Sequence, residues 1–314
     1  MDRRKIGPVD VSVVGIGCNN FGPRLDEKRT KEVIDTAIDC GINFFDTADM
    51  YGNGTSEDFL GRILGARRKS VVIATKFGQE MPGQGRGARP EYVRAACEAS
   101  LKRLRTTYID LYQLHLPDPD VSIAETLGAL DELVKSGKVR QIGCSNFNTE
   151  QLREAHAASV RHPGSAVFAS VQNEYSLLYR EPEQGVLEEC ERLGVAFLPF
   201  FPLKAGLLTG KYRKGQPIPE NTRVAKNERY RKLLTDDSID RIEVLIEYAE
   251  SRGHNILQLA FSWLLAHRPV ASVIAGASSA SQVRANAEAP DWRLGAAELR
   301  EIDALLRQET ATAD

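Results

Sequence analysis

The strongest constraint on the fold is an alternation. Short runs rich in β-branched and aromatic residues fall at 11–17, 42–47, 70–76, 108–115, 139–145, 167–172, 195–200 and 271–276. Amphipathic stretches separate most of them. Residues 30–41 place Val33, Ile34, Ala37 and Ile38 on one stripe, the spacing of a helix that covers a sheet, and stop at Gly41. Residues 91–104 follow Pro90, and 122–137 run from a Ser122 cap to Gly137. Eight strand candidates mostly followed by helix candidates predict an α/β chain of the (β/α)8 TIM-barrel type, because parallel strands need crossover helices and a closed sheet has no edges. No linker or low-complexity tract divides the chain, so one barrel domain over 1–314 is expected. Gly7-Pro8 marks a turn, which predicts a small hairpin at 5–12 ahead of the barrel. A long Gly/Pro-rich, basic connection at 203–232 follows the seventh candidate strand and is expected to act as a lid.

Three of these runs end abruptly at, or just before, proton-handling residues: Asp46 and Tyr51 at 42–47, Lys76 at 70–76 and His115 at 108–115. Strand C-termini of a parallel barrel converge on one mouth, where such folds carry their chemistry. An ammonium beside a phenol lowers the phenol pKa from about 10, a carboxylate keeps a buried ammonium charged, and an imidazole can hold a substrate oxygen. Together they form a proton donor for a carbonyl oxygen on its way to an alcohol. GIGCNNFG at 15–22 is a poor dinucleotide fingerprint: its third glycine is displaced, Pro23 follows, and the next helical pattern starts near Thr30. A barrel aldolase using Lys76 as a Schiff-base nucleophile is the competing enzyme reading, but Asp46 and Tyr51 favour a charged lysine.

Composition narrows the partners. A formal charge of −2 gives no electrostatic case for nucleic acid or an anionic membrane, and no apolar run approaches a membrane span. Five widely spaced cysteines without a CxxC pair favour reduced thiols in a cytoplasmic protein over a disulfide frame or a metal site. Oligomeric state is left open.

The stretch INFFDTADMYGNGTSEDFLGRIL resembles the signature of the aldo-keto reductase family, with ATKFG, DLYQLHLPD and KSGKVRQIGCSNF in matching order. SVQNEYSLLYRE, PFFPLKAGLLTGKY and SVIAGASSASQVRANAEA continue the resemblance over essentially the whole chain. It implies an NAD(P)(H)-dependent oxidoreductase that interconverts small aldehydes or ketones with alcohols by direct hydride transfer, without a metal. Tyr51 would be the general acid/base, Lys76 and Asp46 would lower its pKa, and His115 would orient the carbonyl. Ser145, Asn146 and Gln172 would hold the nicotinamide carboxamide, and Phe200 would stack on the ring where the family commonly has tyrosine. Leu203, Gly206, Leu208 and Gly210 would approach the pyrophosphate; Gly276, Ser278, Ser279, Gln282 and Asn286 would bind the adenosine end. Residues 276–282 lack the cation that often pairs the NADPH 2′-phosphate, although Arg284 is close in sequence. NADPH is nevertheless expected over NADH on the family's habit. Barrels resembling this family also serve ion channels as cytoplasmic partners, a non-enzyme alternative. Asn20, Phe21, Met50 and the loops are expected to line a substrate pocket whose preference the sequence does not name.

Overall fold

The computed structural model of the chain describes residues 1–161 and 163–308; the final residues of the expected 1–314 span lie outside the described residues. The described residues form ten strands: β1 Arg3–Ile6, β2 Val9–Ser12, β3 Val14–Gly17, β4 Phe44–Asp46, β5 Val72–Phe77, β6 Ile109–Leu114, β7 Val139–Ser145, β8 Phe168–Glu174, β9 Ala196–Phe200 and β10 Val273–Gly276. The helices are α1 Glu27–Asp39, α2 Thr55–Leu64, α3 Pro90–Leu104, α4 Ile123–Lys135, α5 Thr149–Val160, α6 Val186–Leu193, α7 Arg223–Lys226, α8 Glu228–Arg231, α9 Asp236–Glu250, α10 Ile256–Ala266, α11 Ala280–Glu288 and α12 Ala296–Gln308.

Strands β3 to β10 form one parallel sheet in the order β10-β3-β4-β5-β6-β7-β8-β9. The ends meet just ahead of β10, where Phe197 N–H donates to Pro269 O (2.7 Å) and Ala271 N–H to Phe197 O (3.0 Å). The barrel is thus nearly closed. β1 and β2 make the expected antiparallel hairpin, with Ile6 paired to Val9 across Gly7-Pro8. Gly7 takes φ +54°, the positive value that the first central residue of such a two-residue turn requires.

One candidate strand is divided. The run at 11–17 is not one strand: its first part closes the hairpin and Val14–Gly17 enters the barrel. The hairpin's Ile6 and Val11 pack with Phe44, Val72, Ala74, Leu111, Ala196, Leu198 and Ile274 in the barrel interior, so it stoppers the N-terminal mouth. The chemistry is left to the opposite end. A second, larger core lies between the strands and the helical ring. In that ring, α4 begins with a full capping box from Ser122 and Glu125, and α1 is capped by Asp26, a turn earlier than its apolar stripe announces. The 203–232 connection is not structureless either. It contains a tight 3-10 segment over Lys204–Thr209, then α7 and α8. All five cysteines are free; Cys18, Cys97, Cys144 and Cys190 are buried.

Candidate active site

Side chains alternate across a strand with a period of two. Phe44, Val72, Ala74, Leu111, Ala196, Leu198 and Ile274 fill the barrel interior. Counting on along each strand by twos gives Asp46, Lys76, Gln113, Phe200 and Gly276, and then His115 just past β6. Ladder register sets them side by side: Lys76 pairs with Gln113, and Ser145 with Gln172. The polar stops in the sequence are therefore the last inward-facing layer of the barrel.

At its centre is a buried ion pair. Lys76, with no exposed surface, donates to Asp46 Oδ2 at 2.6 Å and to Thr47 O at 2.9 Å. Asp46 Oδ1 accepts from Gln172 Nε2 at 2.9 Å and from Gln113 Nε2 at 3.3 Å. Burial works to strip the Lys76 proton, but Asp46 and Tyr51 outweigh it and the net pKa is raised. The ammonium is held charged.

Tyr51, on the turn between β4 and α2, hangs over this pair: Lys76 Nζ lies 5.2 Å from its ring centroid. His115 meets it edge-on, centroids 6.0 Å apart. Burial pushes the Tyr51 phenol up, Lys76 pulls it down, and Asp46 pushes it up again. This corrects the sequence expectation in part. Lys76 acts in the anticipated direction, but the net shift is upward, and Asp46 opposes the lowering directly while supporting it through the lysine charge. For His115, burial and then Lys76 depress the pKa to about 3. Its imidazole is neutral near pH 7 and can donate from one nitrogen. A phenol over a fixed ammonium, beside a neutral imidazole, can exchange a proton with a small oxygen ligand.

Ser145, Asn146 and Gln172 form the adjoining wall. Ser145 Oγ donates to Gln172 O at 2.7 Å, and Asn146 Nδ2 donates to His115 O at 3.0 Å. Asn146 adopts φ +62°, a left-handed geometry that asparagine tolerates. Phe200 closes β9 and meets Phe201 edge-on.

With this geometry in place, comparison with known proteins is decisive: the model of the Aldo/keto reductase family matches residues 13–307. The chain belongs to the aldo/keto reductase family. It is 33% identical to the aldo-keto reductase yakc [NADP(+)] of Schizosaccharomyces pombe, covering 95% of this chain and 89% of that one. It is 35% identical to a probable voltage-gated potassium channel subunit beta of Arabidopsis thaliana, over 86% of this chain and 84% of that one. Among solved structures, the holo form of the aldo-keto reductase AKR11C1 from Bacillus halodurans superposes with a TM-score of 0.80 at 32% identity, covering 97% and 96% of the two chains. Family membership makes this chain an oxidoreductase of the aldo-keto reductase type.

The remaining residues expected to hold a cofactor lie on two segments. The turn after β9 carries Leu203, Gly206, Leu208 and Gly210, with Leu208 wholly buried. β10 ends at Gly276, and the turn after it carries Ser278 and Ser279 and leads into Gln282 and Asn286 on α11. Gln282 Oε1 accepts from Ser278 N–H at 2.8 Å and from Ser278 Oγ at 3.0 Å, closing that turn on itself. Asn286 is 4% exposed.

Two cations that the sequence did not single out bracket these segments. A Cβ on Gly206 would lie 2.7 Å from Lys211 Nζ, and one on Gly276 would lie 3.4 Å from Arg223 Nη2. Burial, and then Arg223, lower the Lys211 pKa; burial, and then Arg24, lower that of Arg223. Among the described residues neither has a carboxylate ion pair. Arg223 instead donates to Asn20 Oδ1 at 3.0 Å, and Asn20 Nδ2 donates to Ala277 O at 3.3 Å. Asn20, which stands where the third glycine of a dinucleotide fingerprint would fall, thus ties α7 to the β10 turn. Gln113 and Asp49 were also missed. Asp49, 1% exposed, lies near Glu57, whose carboxylate takes Thr75 Oγ1 at 2.5 Å and Arg103 Nε at 2.6 Å.

Proposed function

We propose that this protein is an NADPH-dependent reductase that interconverts small aldehydes or ketones with alcohols, working as one barrel unit in the cytoplasm. The observation that carries the reading is the convergence of Asp46, Tyr51, Lys76 and His115 at one barrel mouth, with the buried Lys76–Asp46 pair at 2.6 Å beneath the Tyr51 ring.

The residues present fit a nicotinamide dinucleotide. A Cβ at 206 would crowd the Lys211 ammonium and one at 276 would touch the Arg223 guanidinium, so both cations lie against glycine backbone, and they lack carboxylate partners among the described residues. That combination suits a diphosphate, which demands charge-assisted bonds. Ser145, Asn146 and Gln172 offer both donors and acceptors to a carboxamide. Phe200 offers a π face for stacking, which needs no hydroxyl. The bound cofactor would supply a hydride to the carbonyl carbon.

The chain's own groups handle the oxygen. Tyr51 gives its proton to the carbonyl oxygen as negative charge develops there, and takes it back in the alcohol-oxidising direction. Lys76 offsets the charge left on the phenolate. Asp46 keeps Lys76 protonated, and Gln113 and Gln172 hold Asp46 in place. His115, neutral, donates to the same carbonyl oxygen and fixes its approach.

The test is consumption of NADPH absorbance with 4-nitrobenzaldehyde. Tyr51→Phe should lower kcat by roughly 10²–10⁴-fold, the usual worth of a positioned acid, with cofactor affinity kept. Full turnover in that variant refutes the mechanism. The relative named as a channel subunit supports a second reading, a binding-only role; absence of turnover with intact NADPH binding would favour it.

A further inference from the structure

We propose that Arg29, on α1, is the residue that selects the phosphorylated cofactor, by pairing the ribose 2′-phosphate against the turn that Ser278 begins. The proposal rests on the NADPH reading above.

Residues 276–282 contain no lysine or arginine. A guanidinium nevertheless reaches this turn from the far end of the sequence. Arg29 Nη2 donates to Ser278 O at 3.2 Å, and α1 and α11 pack side by side to keep it there. This bond uses one of the several N–H donors of a guanidinium and leaves the others for a ligand. Three carboxylates on or just before α1 are engaged: Glu27 pairs with Arg62, Asp35 with Lys31 and Arg67, and Asp26 accepts the backbone N–H of Arg29 at 2.8 Å as the helix cap. Arg29 itself forms no ion pair among the described residues.

The turn it reaches has little charge of its own to offer. Ser278 Oγ is engaged with Gln282, while Ser279 Oγ caps Gln282 N–H at 3.3 Å and bonds Ser281 Oγ at 2.9 Å. Serine hydroxyls can add neutral hydrogen bonds, but a phosphate near its dianionic state is discriminated from a hydroxyl chiefly by formal positive charge and a planar fork of donors. Arg29 provides both. The cation that the β10 turn lacks in sequence is delivered by a neighbouring helix.

The experiment uses the intact protein and equilibrium binding, read by calorimetry, of NADPH, NADH, adenosine 2′,5′-bisphosphate and 5′-AMP. The expected result is that Arg29→Ala cuts the NADPH:NADH affinity ratio by about tenfold or more, the value of a hydrogen bond to a charged group. The bisphosphate:AMP ratio should fall in parallel, and Arg29→Lys should restore part of both. High salt should narrow the wild-type ratio and leave the Arg29→Ala ratio nearly unchanged, because an exposed pair is screened. Three outcomes overturn the proposal: an unchanged ratio, an equal loss of both cofactors, or collapse of the ratio in Arg284→Ala with Arg29→Ala unaffected. Wild-type protein that binds NADH as tightly as NADPH refutes Arg29 selection alone. Wild-type protein that binds neither refutes the cofactor reading itself.

Discussion

The buried pair beneath Tyr51 makes a quantitative prediction through a double-mutant cycle. Asp46 is 3% exposed and Lys76 has no exposed surface, so neither ion has water to fall back on. In Asp46→Asn the ammonium keeps Thr47 O but loses its counter-charge. Removing one partner of a buried pair costs about 3–5 kcal/mol. Loss of Asp46 removes the first influence that holds the Lys76 pKa up against burial, so the pKa should fall. Lys76→Met leaves the opposite problem, a carboxylate supported only by the amides of Gln113 and Gln172. Its cost should be similar. The double variant Asp46→Asn/Lys76→Met buries no charge, and replacing a whole buried pair by neutral groups of like volume is often close to neutral. Its expected cost is about 0–2 kcal/mol, so the coupling should reach at least about 4 kcal/mol.

Urea unfolding followed by tryptophan fluorescence reads this directly, since Trp263 and Trp292 are both buried. The pH must be chosen by sign. The folded pKa of Lys76 is raised, so its contribution is full below its unfolded pKa and fades as pH rises through the higher folded value. At pH 8 the whole effect is present. All three variants should be nearly inactive, so stability and activity separate: the double variant regains the first and not the second. Additive costs, with coupling below about 1 kcal/mol, would refute the claim that the pair acts as a unit.

Two further titrations follow from the site. Burial, reinforced by Glu57, raises Asp49 from 3.8 to about 7, and its Oδ1 has no hydrogen-bond partner. The folded state therefore holds this proton more tightly than the unfolded one, and stability falls as pH climbs from about 4 to 7. Asp49→Asn should be more stable than wild type at pH 8, by as much as about 4 kcal/mol, with the gap closing near pH 4; equal urea midpoint shifts at both pH values would contradict this. His115, lowered from 6.5 to about 3, stays neutral across the assay range, and its share of stability declines only as pH falls from 6.5 toward 3. The pH–rate profile for reduction should show no step near 6.5, and a step there that disappears in His115→Gln would overturn the neutral-donor role.

What the sequence disclosed, and what it hid, follows from whether a residue announces itself locally. The barrel was legible because apolar runs and amphipathic stretches are periodic over a few residues, and Asp46, Lys76 and His115 stood out as breaks in those runs. The 11–17 run misled because β-branched residues continue through Val13 with no Gly or Pro to mark the change of direction; long-range bonds make it, Val13 N–H to Asp2 O and Val273 N–H to Val13 O, both near 3 Å. The start of α1 was hidden because its first turn, Glu27 to Thr30, is polar and carries no stripe. Gln113 could have been found: it lies two residues before His115, on the face that alternation assigns to the barrel interior. Lys211, Arg223 and Arg29 could not. A basic residue in a loop or on a helix surface is ordinary, and what distinguishes these three is the lack of a carboxylate ion pair among the described residues together with proximity to a turn hundreds of residues away or to a glycine. That is a property of chain closure. On the proposed reading, phosphate selection is assembled from elements distant in sequence, while the residues assigned to proton chemistry stand at the strand ends.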